Sequence, residues 1–416
     1  MYDIQTLPNG VRIVTCPVEG YRSAALGFWV GAGSRQETEK ENGATHFIEH
    51  MVFKGTQKRS AAKLAEEMDA MGGQFNAFTT KECTCFYARG LDSHLPRATD
   101  ILCDMFFNSR FDEKDVETER GVILEEIGMY EDNPEDLSAE QLYDKVFAGD
   151  ALARPILGTK ESLAPMTGAW LREYQKSHYL PEDIVLSLAG SFTKDDVKRL
   201  ADAFGGIAGG KNPDPVMPKY IRSVTAKEKP IEQNHLTLAF PSLSYASEER
   251  YVLQLLSSVL GGSMSSRLFQ KVREEKGLCY SVYSYGAGHA DTGLFCIYTA
   301  LGKETEADAI RTILDVVHDV AENGVREEEL ARAREQSKAN VVMGLESTQS
   351  LMSHMGRSLL LTGEITTPEQ IIANYDAVTG EQVKEMARRI FNFDLMSLSA
   401  VGQTRSVEEY KTLLGI

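Results

Sequence analysis

Two histidines and a glutamate within residues 45–51 could hold a metal ion and perform chemistry beside it. His46 and His50 are four residues apart, and Glu49 lies between them. A short helix is predicted over residues 44–53, which contain no Gly or Pro. Residues four apart lie on one face of a helix, so the two imidazoles can occupy adjacent corners of a zinc tetrahedron. Glu49 would then lie beside the metal without binding it, where a general base can take a proton from water.

A catalytic zinc ion needs a third protein ligand and an open coordination position. The candidates lie in residues 111–127, where Asp112 suits an N-cap and the apolar residues follow a helical spacing. Glu119 and Glu126 are seven residues apart and share a face, whereas Glu125 is rotated by about 100°. One interpretation is an acidic helix exposed to solvent. The other makes Glu126 the third ligand and Glu119 a carboxylate that orients a ligand or a water molecule.

Three segments together resemble one enzyme family. They are residues 46–56, the Gly-Gly-x-x-Asn-Ala stretch at 72–77, and the helix containing residues 119–126. The chain resembles the pitrilysin-type zinc metallopeptidases, also called inverzincins. Within that family it is most similar to the short bacterial relatives of the mitochondrial processing peptidase β subunit.

The resemblance implies a role for each residue of the candidate site. In that family the third ligand is a Glu far downstream of the second His. The spacing of 76 residues between His50 and Glu126 selects this Glu over its neighbour. The resemblance therefore implies one zinc ion per chain, bound by His46, His50 and Glu126. It makes Glu49 the catalytic base and Glu119 a supporting catalytic carboxylate.

The resemblance also implies a docking strand for a peptide. In the family, the strand that carries Asn76 and Ala77 is a sheet edge beside the zinc ion. The substrate adds there as a further strand and is held by main-chain groups, with pockets for alternate side chains. The alternative is an ordinary sheet edge without a binding role.

Further substrate contacts are expected from two other regions. Arg273 and Tyr280 match the spacing of a family pair that binds peptide carbonyls and supports the oxyanion. Asp136 and Glu140 lie where the family places acidic side chains for an Arg of the substrate. The alternatives are a surface charge and a strand residue for the first pair, and an acidic helix surface for the second.

The chain contains an internal duplication. A Thr-Gly pair, a helix and an apolar strand occupy 167–190 and recur 212 residues later at 379–402. The second copy lacks the H-x-x-E-H pattern. We predict a catalytic half at 1–208, a linker at 209–224 and a non-catalytic half at 225–416. Each half is expected to be an α/β sandwich, a mostly antiparallel sheet with helices on one face, in an α+β fold.

Composition restricts the class of protein and its partners. A length of 416 residues favours two domains. The formal charge of −17 disfavours nucleic acids and anionic membranes as partners. No apolar run is long enough to span a membrane, and the start of the sequence has no leader pattern. The six cysteines lack disulfide or zinc-ribbon spacing, which favours a reducing compartment and hence a bacterial cytoplasm.

The motif and the resemblance together imply a zinc endopeptidase that cleaves unfolded or presequence-like peptides, and the likeness to the processing peptidase implies a preference for peptides containing Arg. A closed chamber in the resembled family is built from four such halves, and this chain has two. A homodimer, or a heterodimer with a homologous subunit, is therefore expected, with Arg273 and Tyr280 serving the partner's zinc. Two alternatives stay open: a zinc-bearing, non-catalytic assembly subunit like the respiratory-complex core proteins, and a β-type subunit active only with an α-type partner.

Overall fold

The computed structural model describes residues 2–416 and contains two sheets flanked by helices. The first sheet consists of β1 (Asp3–Thr6), β2 (Arg12–Pro17), β3 (Ser23–Val30), β4 (Gln74–Thr79), β5 (Thr84–Leu91) and β6 (Ile184–Gly190). The second sheet consists of β7 (Val224–Glu228), β8 (Asn234–Ser242), β9 (Ser281–Gly288), β10 (Gly293–Leu301) and β11 (Ser397–Gly402).

Five strands of the first sheet repeat the topology of the second sheet, and β1 is an additional edge strand. The first has the spatial order β1-β2-β6-β3-β5-β4, and the second has the order β7-β11-β8-β10-β9. In each sheet one pair is parallel, β2 with β6 and β7 with β11, and the other neighbours are antiparallel. This repetition agrees with the duplication inferred from the sequence, and the predicted fold class is confirmed.

Helices cover both sheets. In chain order they are α1 (Ala44–Met51), α2 (Ala61–Ala70), α3 (Leu95–Asn108), α4 (Glu113–Asp132), α5 (Pro134–Val146), α6 (Lys160–Leu163), α7 (Gly168–His178), α8 (Lys194–Phe204), α9 (Arg250–Gly261), α10 (Glu306–Asn323), α11 (Glu327–Gly344), α12 (Thr348–Thr362), α13 (Pro368–Ala377), α14 (Gly380–Ile390) and α15 (Val407–Leu414). A π-helical segment spans Phe269–Glu275. None of the helices described between residues 2 and 416 combines the length and hydrophobicity needed to cross a bilayer.

Matching N-caps begin the equivalent helices α7 and α14. The hydroxyl of Thr167 accepts a hydrogen bond from the backbone N–H of Trp170, and that of Thr379 accepts one from Gln382. Such caps satisfy N–H groups that the first turn of a helix leaves unpaired. The recurring Thr-Gly pairs therefore start the helices that lead into β6 and β11.

The main core of the first sheet anchors the helix that carries the histidines. Leu26 and Phe28 alternate along β3 on the face that packs against α1 and α3. The ring of Phe28 lies 5.8 Å from that of Phe106 and 4.8 Å from that of Phe204, both in edge contact. Phe47 of α1 is fully buried in the same cluster. This packing fixes α1 on the sheet.

A helix from late in the chain covers the opposite face of the first sheet. Met352 and Met355 of α12 pack with Trp29, whose side chain points away from the main core. The approach is close enough to require glycine at two positions. A Cβ atom on Gly356 would lie 2.2 Å from Trp29 Nε1, and one on Gly27 would lie 2.3 Å from the Met352 sulfur.

The second sheet is covered in the same way by a helix from early in the chain. Leu142 and Val146 of α5 pack against Ala239 of β8 and Cys296 of β10. Each sheet is therefore flanked on its second face by one helix from the other half of the sequence, whereas helices were predicted on one face only.

The chain accordingly forms two compact units that are not continuous in sequence. Unit 1 comprises the residues up to 127, 154–216 and 344–365, and unit 2 comprises 128–153, 217–343 and 366–416. The predicted halves 1–208 and 225–416, with the linker 209–224, differ from these units in the placement of α5 and α12. The physical reason is that helical periodicity identifies the apolar side of a helix but not the sheet that will cover it.

Candidate metal centre

α1 presents two of the predicted ligands from a rigid position. Its side chains Phe47, Ile48 and Met51 are fully buried, which fixes the helix in the core of unit 1. His46 and His50 project from the same face, and their ring centroids lie 4.7 Å apart. The predicted helix and the predicted alignment of the two imidazoles are both present.

Glu126 of α4 completes a triangle of donor atoms. Its Oε2 lies 3.6 Å from Nε2 of His46 and 3.5 Å from Nε2 of His50. Buried Val116 and Ile123 hold the core side of α4, so Glu126 is directed at the histidines while Glu125 is exposed.

The donor set fits a zinc ion. One ligand atom from each of His46, His50 and Glu126 lies within 4.8 Å of the other two. Among residues 2–416, no other set of three or more His, Cys, Asp or Glu side chains is arranged to hold a metal ion. Metal bonds of about 2.0–2.1 Å in a tetrahedron place neighbouring ligand atoms about 3.3 Å apart. The separations between Glu126 and the two imidazoles are close to this value. Two imidazole nitrogens and a carboxylate oxygen are also the donors that catalytic zinc sites use.

Protonation states of His46 and Glu126 favour metal binding at neutral pH, whereas that of His50 opposes it. Burial, together with the neighbouring His50, lowers the pKa of His46 to about 4, so this imidazole is neutral. The hydrogen bond to His50 lowers the pKa of Glu126 and keeps it ionised. Burial lowers the pKa of His50, but hydrogen bonds to Glu126 and Glu119 outweigh this effect and raise it overall. His50 is therefore the ligand at which protons compete with a metal.

Glu119 lies against His50 and is itself held by a lysine that the sequence analysis did not identify. Its Oε2 lies 3.1 Å from His50 Nδ1, and its Oε1 lies 2.6 Å from Lys54 Nζ. A carboxylate only accepts hydrogen bonds, so Nδ1–H donates and Nε2 is left free for the metal. Lys54 lies four residues after His50, a spacing that could have identified it.

Glu49 lies beside the donor triangle and is hydrogen-bonded by Thr79. The Thr79 hydroxyl donates to Glu49 Oε2 at 2.5 Å. Burial raises the pKa of Glu49, and the Thr79 hydrogen bond and nearby His50 oppose the rise. A raised pKa suits a group that must take up a proton near neutral pH. Thr79 was not identified from the sequence, although it lies two residues after Ala77 and so on the same side of β4.

A buried carboxyl group caps the N-terminus of α1. Glu37 Oε1 accepts from the backbone N–H of Thr45, and Oε2 accepts from Gly43 N–H and from Asn42 Nδ2, all at 2.8–3.0 Å. Gly43 has a φ of +94°, and a Cβ atom there would lie 2.7 Å from the carbonyl oxygen of Leu157. No sequence pattern marks Glu37, because it precedes the helix by a loop.

β4 forms one edge of the first sheet, as the resemblance implied. Within the described residues it pairs with β5 alone. Asn76 is exposed and its Oδ1 accepts from the backbone N–H of Ala77, which is buried. The last residue of β4 is Thr79, so the end of the edge strand lies in contact with Glu49.

The other predicted substrate residues belong to unit 2. The Arg273 guanidinium lies 5.4 Å from the ring centroid of Tyr280 and 4.5 Å from that of Phe269. Tyr280 is 74% exposed, so its hydroxyl is open to solvent while Arg273 rests on its ring. The two residues predicted as a pair are thus in contact.

Asp136 and Glu140 both lie on α5. Asp136 Oδ2 accepts from Asn133 Nδ2 at 2.6 Å in the first turn of the helix. Burial, together with neighbouring Glu135, raises the pKa of Asp136. Both predicted acidic residues are half-buried.

Comparison with known proteins assigns the chain to a family. The family model described as Insulinase (Peptidase family M16) matches residues 12–160, and the model described as Peptidase M16 inactive domain matches residues 165–337. The chain belongs to the M16 peptidase family. This confirms the family inferred from the motifs, and the order of the two models agrees with one catalytic and one non-catalytic copy.

M16 relatives match along nearly the whole chain. An uncharacterized zinc protease of Bacillus subtilis, YmxG, is 44% identical over 94% of this chain and 95% of its own length. An uncharacterized zinc protease of Streptomyces coelicolor is 42% identical over 95% of this chain and 88% of its own.

Solved structures share the fold at lower identity. A protease from Helicobacter pylori has a TM-score of 0.90 at 18% identity, covering 97% of this chain and 99% of that chain. A chain of Complex III2 from Candida albicans has a TM-score of 0.85 at 20% identity, covering 99% of both.

Proposed function

We propose that this M16 protein is a zinc-dependent endopeptidase that hydrolyses unfolded or presequence-like peptides. The observation that carries the proposal is the triangle of His46, His50 and Glu126 donor atoms with the Glu49 carboxylate beside it. His46, His50 and Glu126 would hold one zinc ion per chain. When bound, the ion supplies Lewis acidity that polarises a peptide carbonyl and acidifies water.

The residues around the triangle divide the remaining tasks. Glu49 takes a proton from water and returns it to the leaving amine of the cleaved bond. Glu119 fixes the His50 tautomer through Nδ1 and so presents Nε2. A peptide adds to the open edge of β4 near Asn76 and Ala77, where main-chain pairing accepts many sequences.

Substrate preference and assembly extend the proposal. Asp136 and Glu140 would favour a substrate with Arg near the cleaved bond. The exposed Tyr280 and the Arg273 stacked on it would serve the site of a second copy in a homodimer, or of a homologous subunit in a heterodimer. All six cysteines are free, in accordance with a reducing compartment such as a bacterial cytoplasm.

The decisive experiment separates the base from the ligands. Glu49→Gln should abolish cleavage of a quenched peptide library while the protein keeps its zinc. Glu126→Gln should reduce zinc affinity, and Glu125→Gln, on the exposed side of α4, is the matched control that should change neither property. Loss of zinc from Glu49→Gln protein, or its full activity, would contradict the assignment.

Subunit mixing tests the dimer. Glu49→Gln and Tyr280→Phe chains should each be nearly inactive alone. Mixed after dissociation, they should regain about a quarter of wild-type activity if subunits pair at random and sites act independently. No regain despite demonstrated mixing would mean that the site is completed within one chain.

Two other functions predict different results. A non-catalytic assembly subunit is favoured by the shared fold of a Complex III2 chain and would bind zinc without cleaving any peptide. A β-type subunit would cleave peptides only after a homologous partner is added. Assaying the purified chain alone, with and without chelator, distinguishes these from an independent peptidase.

A further inference from the structure

Thr79 joins the edge of the first sheet to the candidate base. Its Oγ1 lies 2.5 Å from Glu49 Oε2, and an ionised carboxylate has no proton to give, so the threonine donates. Hydrogen bonds to a charged group are short and strong, more so away from water. Within residues 2–416, the Glu49 carboxylate has no other hydrogen-bond partner. The Thr79 bond therefore determines which carboxylate oxygen stays free for water.

The position of the Thr79 hydroxyl is set by the register of the sheet. Thr79 pairs with Thr84 across β4 and β5, and their Oγ1 atoms lie 3.4 Å apart. The Thr84 hydroxyl is fully buried and donates to the carbonyl oxygen of Ala32 at 2.8 Å. Because the Thr84 hydroxyl donates its proton to Ala32, it does not donate to Thr79, and the Thr79 hydroxyl donates its own proton to Glu49.

We propose that Thr79 is a positioning residue for Glu49. Its hydroxyl holds Oε2, so that Oε1 is presented to the attacking water. This inference rests on the proposed peptidase function and adds one residue to it. The docking strand for the peptide and the residue that holds the base are then parts of the same strand, β4.

Three substitutions at one position test the proposal. Thr79→Val keeps the shape and removes the hydroxyl, so kcat should fall about 10- to 100-fold while KM changes less than about twofold. Thr79→Ser keeps the hydroxyl and should restore most of kcat. Thr79→Ala should lower kcat as much as Thr79→Val does, which would show that the loss is not caused by the branched side chain of valine.

Two measurements do not depend on the activity of the zinc-loaded enzyme. Zinc content and the midpoint of urea unfolding should match the wild type in Thr79→Val protein. In the Glu49→Gln background, adding Thr79→Val should leave the Kd of a labelled substrate peptide unchanged, because the hydroxyl positions the base and not the peptide. Thr118→Val, which removes an exposed hydroxyl on α4, is the control and should keep full activity.

Each contrary result has a separate meaning. Full kcat in Thr79→Val protein would overturn the inference while the wild-type activity still supports the proposed function. Weaker peptide binding in the double variant, or a Thr79→Ser defect as large as that of Thr79→Val, would show a structural role in β4 and would also overturn it. A wild-type protein that binds zinc and cleaves no peptide would refute the proposed function itself.

Discussion

The buried carboxyl of Glu37 should make the stability of unit 1 depend on pH. Burial raises the pKa of Glu37 from 4.5 to about 7, although hydrogen bonds from Thr45, Asn42 and Gly43 act in the opposite direction. The folded chain therefore holds this proton more tightly than the unfolded chain does. The stability that the proton contributes is complete below pH 4.5 and is lost as the pH rises through about 7.

The magnitude follows from the size of the shift. Raising a pKa from 4.5 to about 7 corresponds to about 3 kcal/mol of lost stability once the group is ionised. Glu37 is only 2% exposed, so solvent screening weakens this effect little. About 2.5 kcal/mol of the loss falls between pH 5 and pH 8.5. Glu37→Gln has nearly the same shape and no charge, so its altered hydrogen bonds change stability by the same amount at every pH.

The assay is urea unfolding of metal-free wild-type and Glu37→Gln protein across this pH range. The wild-type free energy of unfolding minus that of the variant should fall by about 2.5 kcal/mol from pH 5 to pH 8.5. Glu39→Gln is the control for the loss of one exposed carboxylate. A difference that stays constant with pH refutes the reasoning. A difference that grows with pH means that the three donors outweigh burial.

Three further predictions concern the packing at Gly356, the role of Lys54 in zinc binding, and the pH dependence of zinc affinity. Gly356→Ala should destabilise the protein by about 1–3 kcal/mol in urea unfolding, whereas Gly344→Ala, in open space, should not. Lys54→Met should weaken zinc affinity about 10- to 100-fold in a chelator competition by freeing Glu119, and Lys54→Arg should restore it. The pKa of His50 is raised above 6.5, so acidification protonates this ligand before the pH has dropped to 6.5. Zinc affinity should therefore already decrease while the pH is still above 6.5. An affinity that is constant down to pH 6 would contradict this.

Local spacing explains how much of the candidate metal centre could be predicted from the sequence. The spacing of His46 and His50 sets their common face wherever the helix lies, and the same rule aligns Glu119 with Glu126 on α4. Choosing Glu126 as the third ligand needed the resemblance, since residue spacing alone left the helix open to a purely acidic interpretation. In the structure Glu125 is exposed and Glu126 is directed at the histidines.

Two supporting residues, Thr79 and Glu37, could not be predicted because no sequence periodicity relates them to the groups that they contact. Thr79 reaches Glu49 across 30 residues and Glu37 reaches Thr45 across a loop. Such contacts depend on the register of the sheet and on the packing of α1, neither of which appears as a period in the sequence. The exchange of α5 and α12 was missed for the same reason: an amphipathic helix does not specify its partner.

The placement of α12 means that unit 1 cannot finish folding until late in the synthesis of the chain. All six strands of the first sheet exist once residue 190 has been made, yet the helix that covers Trp29 ends at Thr362. At about 5–20 residues per second, a ribosome needs about 10–30 s more to reach that point. For this interval the nascent sheet carries an apolar face with no cover of its own, the kind of surface that chaperones bind. A chain that stops anywhere between residues 217 and 343 would keep His46, His50 and Glu126 and still lack the helix that closes their unit.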